Sequence, residues 1–234
     1  MRHACGMDTR QAPELLPAVE IASGPSPRHS IIWLHGLGAD GHDFAPIVPE
    51  LTRGLAPLRF VFPHAPQRAV TINGGLRMRA WYDIRSFDLG HRADEAGLRE
   101  SMAQVEALIE HERNAHGIAA DKVFLAGFSQ GGAVALCAAL RHAQPLAGVI
   151  ALSTYMPLAD QLASERSAAN AHLPVFMGHG SLDPVVPQVL GAAARDALGA
   201  LGHTVDWHSY TMAHAVLPQE IADLRAWLAR RMGD

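Results

Sequence analysis

The stretch KVFLAGFSQGGAVALCAAL, residues 122–140, changes from a strand-forming to a helix-forming sequence at Ser129. Residues 122–126 are mostly apolar and rich in strand formers, and residues 133–140 are strongly helical. Ser129 therefore stands at a sharp turn inside a Gly-x-Ser-x-Gly frame. Such a turn forces the serine to a positive φ, and glycines two residues before and after it avoid a steric clash. This arrangement is typical of a catalytic nucleophile.

The context of this frame decides between two interpretations. The same residues could form a glycine-rich loop with no chemical role, but a strand directly before and a buried helix directly after are what the catalytic motif requires. In that geometry the N–H of Gln130 points to where an oxyanion forms, and the helix dipole favours negative charge there. We therefore predict Ser129 as the nucleophile and the Gln130 N–H as one donor of an oxyanion hole.

Length and composition predict one globular domain in a chain of 234 residues, of which 49% are hydrophobic and 18% charged. The formal net charge of −4 gives no reason to expect nucleic acid as a partner. There is no apolar run of about 18 residues, so we expect no stable membrane insertion. With no secretory signal and two cysteines far apart, we expect a cytoplasmic protein. We assign residues 1–13 to a flexible tail and residues 14–234 to the domain.

Strand-like and helix-like segments alternate along the chain, which predicts an α/β fold with a mostly parallel sheet and helices on both faces. Residues 64–90 show no sustained period, apart from the turn signal at residues 73–75, and predict a long loop over the strand ends. Within it, Leu76, Met78 and Trp81 either line the substrate site or pin the loop to the core. The sequence leaves both alternatives open.

The chain contains 14 histidines, and histidine is a common metal ligand, so a metal site has to be considered. No HExxH motif and no paired Cys/His spacing is present, so we expect no metal site.

A serine nucleophile needs a histidine base and a carboxylate that orients it. Asp183 and His214 follow Ser129 in the order serine, acid, histidine, and each comes just after a predicted strand. Asp206 and His208 lie within a strand, and His179 precedes the acid, so these are weaker candidates. The glycine-rich loop after the strand at residues 30–34 offers the second oxyanion donor, for which the N–H of Leu37 is the best candidate.

Several motifs extend beyond these residues and occur in the order LHGLGADG, PHAP, VTINGG, MRAWYDI, RADEAGLRES, GFSQGG, GSLDPVVP and MAHAV. Together they resemble the phospholipase/carboxylesterase family, which includes the acyl-protein thioesterases. The resemblance covers nearly the whole chain from about residue 15. It implies an α/β-hydrolase fold, a triad of Ser129, Asp183 and His214, and an oxyanion hole from Leu37 and Gln130.

The resemblance also implies esterase activity on a small-molecule ester, without a metal or an organic cofactor. RMRAWYDI resembles bacterial carboxylesterases, so the leading expectation is a serine carboxylesterase for short to medium acyl chains. The alternative is an acyl-protein thioesterase or a lysophospholipase for long chains, and a remote third is an inactive binding protein with the same fold. A homodimer is compatible with the resemblance, although the residues themselves indicate no interface.

Overall fold

A seven-stranded sheet organises the computed structural model, which describes residues 15–86 and 94–233. The predicted tail, residues 1–13, lies outside the described residues. The sheet order is β1-β3-β2-β6-β7-β8-β9, and every pairing is parallel except that of β1 with β3. The strands are β1 (Ala18–Ala22), β2 (His29–Leu34), β3 (Leu58–Pro63), β6 (Val123–Phe128), β7 (Gly148–Leu152), β8 (Val175–Gly180) and β9 (Val205–Tyr210).

Helices cover both faces of this sheet, as the alternation of the sequence predicts. They are α1 (Val48–Leu51), α2 (Glu95–His116), α3 (Gln130–Arg141), α4 (Ala159–Glu165), α5 (Gln188–Ala200) and α6 (Pro218–Met232). Buried residues of α2, α3 and α5 share one core cluster, while those of α1 and α6 belong to a second. Because the sheet separates two apolar layers, its central strands are buried along all or nearly all of their length. The predicted fold class is confirmed.

The segment from residue 64 onward differs from the long loop expected there. It contains a two-stranded antiparallel hairpin, β4 (Gln67–Val70) and β5 (Leu76–Arg79), which is separate from the main sheet. Gly74 and Gly75 turn the chain with φ values of 66° and 78°. The hairpin strands have only four residues each and are largely exposed. They therefore carry no apolar alternation from which strands could be predicted.

No helix in the described part of the chain combines the length and the apolar character needed to cross a bilayer.

Candidate active site

Ser129 occupies a strained turn between β6 and α3, with φ 54° and ψ −122°. The two flanking glycines are needed for close backbone approach. A Cβ on Gly127 would lie 2.3 Å from the carbonyl carbon of Gly131, and a Cβ on Gly131 would lie 2.3 Å from the carbonyl oxygen of Leu34. Any larger residue at either position would force the turn apart. The geometry is that of the nucleophile elbow anticipated from the Gly-x-Ser-x-Gly frame.

Two hydrogen bonds connect the backbone of Ser129 to the end of β7 and to the loop that follows it. The Ser129 N–H donates to the Leu152 carbonyl at 2.9 Å, and the Thr154 hydroxyl donates to the Ser129 carbonyl at 2.7 Å. Gln130 is the first residue of α3. The first N–H groups of a helix lack acceptors within the helix, so they are available to a negative oxygen. The elbow thus combines a fixed serine with a helix start.

Asp183 and His214 are joined by a short hydrogen bond, 2.6 Å from His214 Nδ1 to Asp183 Oδ2. The other carboxylate oxygen of Asp183 accepts the N–H groups of Val185 and Val186, at 2.8 and 2.9 Å. A carboxylate only accepts, so Nδ1 of His214 carries the proton of the neutral ring. Nε2 is then the basic nitrogen. Three donors therefore fix both the carboxylate and the tautomer that a general base requires.

The loops that carry these two residues are tied to each other beyond the strand ends. The Ser181 N–H donates to the Tyr210 carbonyl at 2.8 Å, and the Leu182 N–H to the Met212 carbonyl at 3.0 Å. The His214 ring lies against Phe128, the residue before Ser129, with ring centroids 4.6 Å apart. The fold therefore brings the predicted base beside the elbow, with its acid behind it.

His179 and His208, the weaker candidates for the general base, make their hydrogen bonds away from the elbow. His179 is buried behind Asp183, and its Nε2 donates to the Val186 carbonyl at 2.8 Å, which supports the loop that holds the acid. Burial lowers the pKa of His179, so this ring stays neutral. His208 pairs with Asp206 at 2.9 Å on the edge strand β9. Neither contact is directed at the elbow.

The segment His35–Gly41, called the oxyanion loop below, is anchored by the buried ring of His35. His35 Nε2 accepts the Ala65 N–H at 3.0 Å, so the proton of the neutral ring is on Nδ1, which donates to the Gly36 carbonyl at 2.7 Å. Burial lowers the pKa of His35 to about 4, which keeps this tautomer at neutral pH. A Cβ on Gly36 would lie 3.7 Å from that of Ser129, so the loop backbone runs beside the nucleophile.

Trp81 connects the oxyanion loop to the elbow through hydrogen bonds to both segments. Its indole Nε1 donates to the His35 carbonyl at 2.9 Å, and its backbone N–H donates to the side-chain oxygen of Gln130 at 2.9 Å. The amide nitrogen of Gln130 donates to the Tyr82 carbonyl at 2.7 Å. Ser101 Oγ donates to the Trp81 carbonyl. Trp81 thus positions the two segments that offer the predicted oxyanion donors.

An apolar cavity of about 360 Å³ opens at Ser129. Besides Ser129, the two predicted oxyanion donors, Leu37 and Gln130, lie in its wall. The remaining lining comes from the segments after β4 and after β5, from the loop after β7 and from the loop that holds Asp183: Ile72, Asn73, Ile84, Tyr155, Pro184, Val185 and Val186. Mainly apolar walls around one nucleophile suit a hydrocarbon chain next to a reactive carbonyl.

The three side chains that the sequence nominated for substrate binding do not line this cavity. Leu76 is 66% exposed on the hairpin, and Met78 is half-buried with its sulfur near the Asn73 amide. Trp81 is fully buried. The structure thus favours the pinning alternative for Trp81. The sequence prediction missed Ile72 and Ile84, and the one signal near them was the turn at residues 73–75, directly after Ile72.

We predict that Trp81→Phe lowers kcat by about tenfold, because the phenyl ring fills most of the space but leaves the His35 carbonyl without its indole donor. A lost buried hydrogen bond costs about 1–3 kcal/mol. Trp33→Phe is a matched control, since the Trp33 indole is also buried and its N–H has no hydrogen-bond partner among the described residues. Steady-state kinetics and thermal unfolding of both variants test this. Equal kcat in the two variants would show that the indole N–H has no positioning role.

Comparison with known proteins gives one consistent result. The model of the family described as phospholipase/carboxylesterase matches residues 16–231. Acyl-protein thioesterase 1 of Neurospora crassa is 38% identical over 235 residues, which cover 95% of this chain and 93% of the relative.

Two crystal structures have the same architecture. SOBER1 of Arabidopsis thaliana superposes with a TM-score of 0.83 at 32% identity, covering 88% of this chain and 99% of that one. Acyl-protein thioesterase 2 of Zea mays has a TM-score of 0.80 at 30% identity, covering 93% of this chain and 100% of that one.

Proposed function

Because this chain belongs to the phospholipase/carboxylesterase family of α/β-hydrolases and is a serine hydrolase of esters or thioesters, we propose that it cleaves acyl thioesters, as an acyl-protein thioesterase does. The observation that carries the proposal is the apolar cavity with Ser129 in its wall. The similarity to relatives named acyl-protein thioesterase favours this activity over the carboxylesterase activity that the sequence motifs put first.

In the proposed reaction, the acyl chain lies in the cavity with its carbonyl carbon at Ser129 Oγ. The hydroxyl attacks that carbon while its proton passes to Nε2 of His214. Asp183 stabilises the positive imidazolium through the 2.6 Å hydrogen bond. The tetrahedral intermediate collapses, the C–S bond breaks, and the departing sulfur takes the proton from His214.

The negative oxygen of the intermediate needs donors that are in place before the reaction. We assign this role to the N–H groups of Leu37 and Gln130, two residues that both line the cavity. Both segments are fixed by side chains outside the cavity, namely His35 and Trp81. Water then attacks the acyl-serine ester with His214 again as base, and the free fatty acid leaves.

A second candidate is hydrolysis of oxygen esters with short to medium acyl chains. It is favoured by the modest cavity volume of about 360 Å³, at the lower end of the range for ligand sites. The same residues would act in the same order, but an alkoxide leaves less readily than a thiolate because an alcohol is a weaker acid than a thiol. Protonation of the leaving group by His214 therefore matters more for an ester.

A matched substrate panel separates the candidates. Each acyl chain is presented once on a cysteine peptide and once on the corresponding serine peptide. The chains range from about four to about sixteen carbons, which covers the short and long chains that a site of this volume could discriminate. The proposal expects kcat/KM for each thioester to exceed that for its ester at the longer lengths. A preference for short esters throughout would establish the second candidate instead. No turnover of either series would favour the inactive binding protein.

The acyl-chain assignment predicts that Ile72→Trp lowers kcat/KM for long acyl chains by roughly tenfold or more, while short chains change little. The indole would fill part of the cavity where Ile72 now lies. Leu76→Trp is the matched control, because Leu76 belongs to the same hairpin region but is 66% exposed and outside the cavity wall. If Leu76→Trp rather than Ile72→Trp changed the length profile, the chain would bind along the outer hairpin face.

A further inference from the structure

Three metal-ligating side chains meet at the surface beside the oxyanion loop, and we propose that Asp40, His42 and His64 bind Zn²⁺ or a related divalent transition metal. Each offers one ligand atom, and these atoms all lie within 4.8 Å of one another. The site is distinct from the triad and takes no part in the hydrolytic steps described above. A bound metal would act on the enzyme from outside its reaction centre.

The donor set selects the class of metal. Two imidazole nitrogens and one carboxylate oxygen suit Zn²⁺, Ni²⁺ or Cu²⁺, whereas Mg²⁺ and Ca²⁺ prefer oxygen ligands. His42 Nδ1 and Asp40 Oδ1 are 3.1 Å apart. They are joined by a hydrogen bond, which a metal would replace at a similar separation, since two ligands on a tetrahedral zinc ion lie about 3.3 Å apart. The His42 side chain is 71% exposed and therefore free to adjust toward His64, whose ring centroid lies 5.4 Å away.

Metal binding at His64 is coupled to the oxyanion loop through Gly41. The Gly41 N–H donates to His64 Nδ1 at 3.0 Å. A metal on Nδ1 would replace this hydrogen bond. A metal on Nε2 would require the ring proton to move to Nδ1, which would then face the Gly41 N–H as a second donor. Either mode releases Gly41, whose backbone is packed so closely that a Cβ would lie 2.2 Å from the Phe62 carbonyl oxygen.

Because the loop contributes Leu37 to the proposed oxyanion hole, the metal and the ordered loop oppose each other. We therefore expect Zn²⁺ to lower kcat/KM by disordering a loop that the proposed oxyanion hole needs in place. The spacing of residues in the chain indicated no metal site, because His64 follows β3 whereas Asp40 and His42 follow β2. The adjacent ends of these two parallel strands bring the ligands together.

Calorimetric titration of the full chain with ZnCl₂, after treatment with a chelator, tests the site directly. We expect binding that weakens at least tenfold in His42→Gln and is unchanged in His116→Gln, a control at an exposed histidine near the end of α2. MgCl₂ should give no comparable binding. Unchanged affinity in His42→Gln, or equal binding of Mg²⁺, would overturn the proposed site.

Activity provides the second measurement. Zn²⁺ should lower kcat/KM of the unmodified chain and of His116→Gln, and His42→Gln should need at least tenfold more metal for the same loss. Inhibition that persists in His42→Gln would mean that the metal acts elsewhere, for example at His214. Binding without inhibition would retain the site but refute its coupling to the oxyanion loop.

Discussion

Ser129→Ala should lower kcat by at least about 10⁴-fold and leave the fold intact, because Ser129 is the one serine, threonine or cysteine among the described residues of the cavity wall. Alanine at this position keeps the same positive φ, so the strain of the elbow is retained and the thermal stability should change little. A fluorophosphonate probe should label Ser129 of the unmodified chain, as located by mass spectrometry of the digested protein.

Ser153→Ala is a suitable control for this experiment. Ser153 is also buried and has a positive φ of 46°, and its hydroxyl has no hydrogen-bond partner among the described residues. We expect that variant to keep nearly full activity and full labelling. Labelling of a different serine, or substantial turnover by Ser129→Ala, would exclude Ser129 as the nucleophile.

Asp183→Asn should reduce kcat by roughly 10⁴-fold through a change of tautomer at His214. The side-chain oxygen of the asparagine would keep the two hydrogen bonds from Val185 and Val186. Its NH₂ group would then face Nδ1 of His214 and donate to it. The neutral ring would carry its proton on Nε2, where it cannot accept the proton of Ser129.

Kinetics of three further variants test this assignment of acid and base. Asp206→Asn removes the carboxylate that pairs with His208 and should change kcat by no more than a few-fold. His214→Gln should be as inactive as Asp183→Asn, whereas His179→Gln should keep most activity if it remains folded. Strong loss in folded His179→Gln with retained activity in His214→Gln would reverse the assignment of the base.

The central strands of the main sheet were predictable because they are buried on both faces and therefore have short apolar sequences. The clearest are those at residues 58–63, 123–128 and 148–152. The hairpin at β4 and β5 was not predictable by the same rule, since nearly all of its positions are exposed or only partly buried and therefore impose no apolar pattern. Its turn was visible in the glycines, but the residues paired across it were not.

The residues of the candidate site also fall into two groups, those that could be predicted from the sequence and those that could not. Ser129, Asp183 and His214 could be nominated because chain order and strand ends restrict where a triad can lie. The positioning roles of His35 and Trp81 depend on hydrogen bonds to the backbone of distant segments, which sequence spacing does not encode. From the sequence, Trp81 could therefore either line the cavity or attach its loop to the core. Its indole hydrogen bond to the His35 carbonyl favours the second role.

The position of β9 at the edge of the sheet has a consequence for how the enzyme loses activity under stress. Ser129 follows β6, which has a strand on each side, whereas His214 follows β9, which pairs only with β8. Edge elements open at lower free-energy cost than central ones, without unfolding of the whole domain. Local opening of β9 would carry the general base away while the elbow kept its shape. Mild denaturation should therefore produce molecules that are inactive although the fold around Ser129 is intact. Their activity should return when β9 pairs with β8 again.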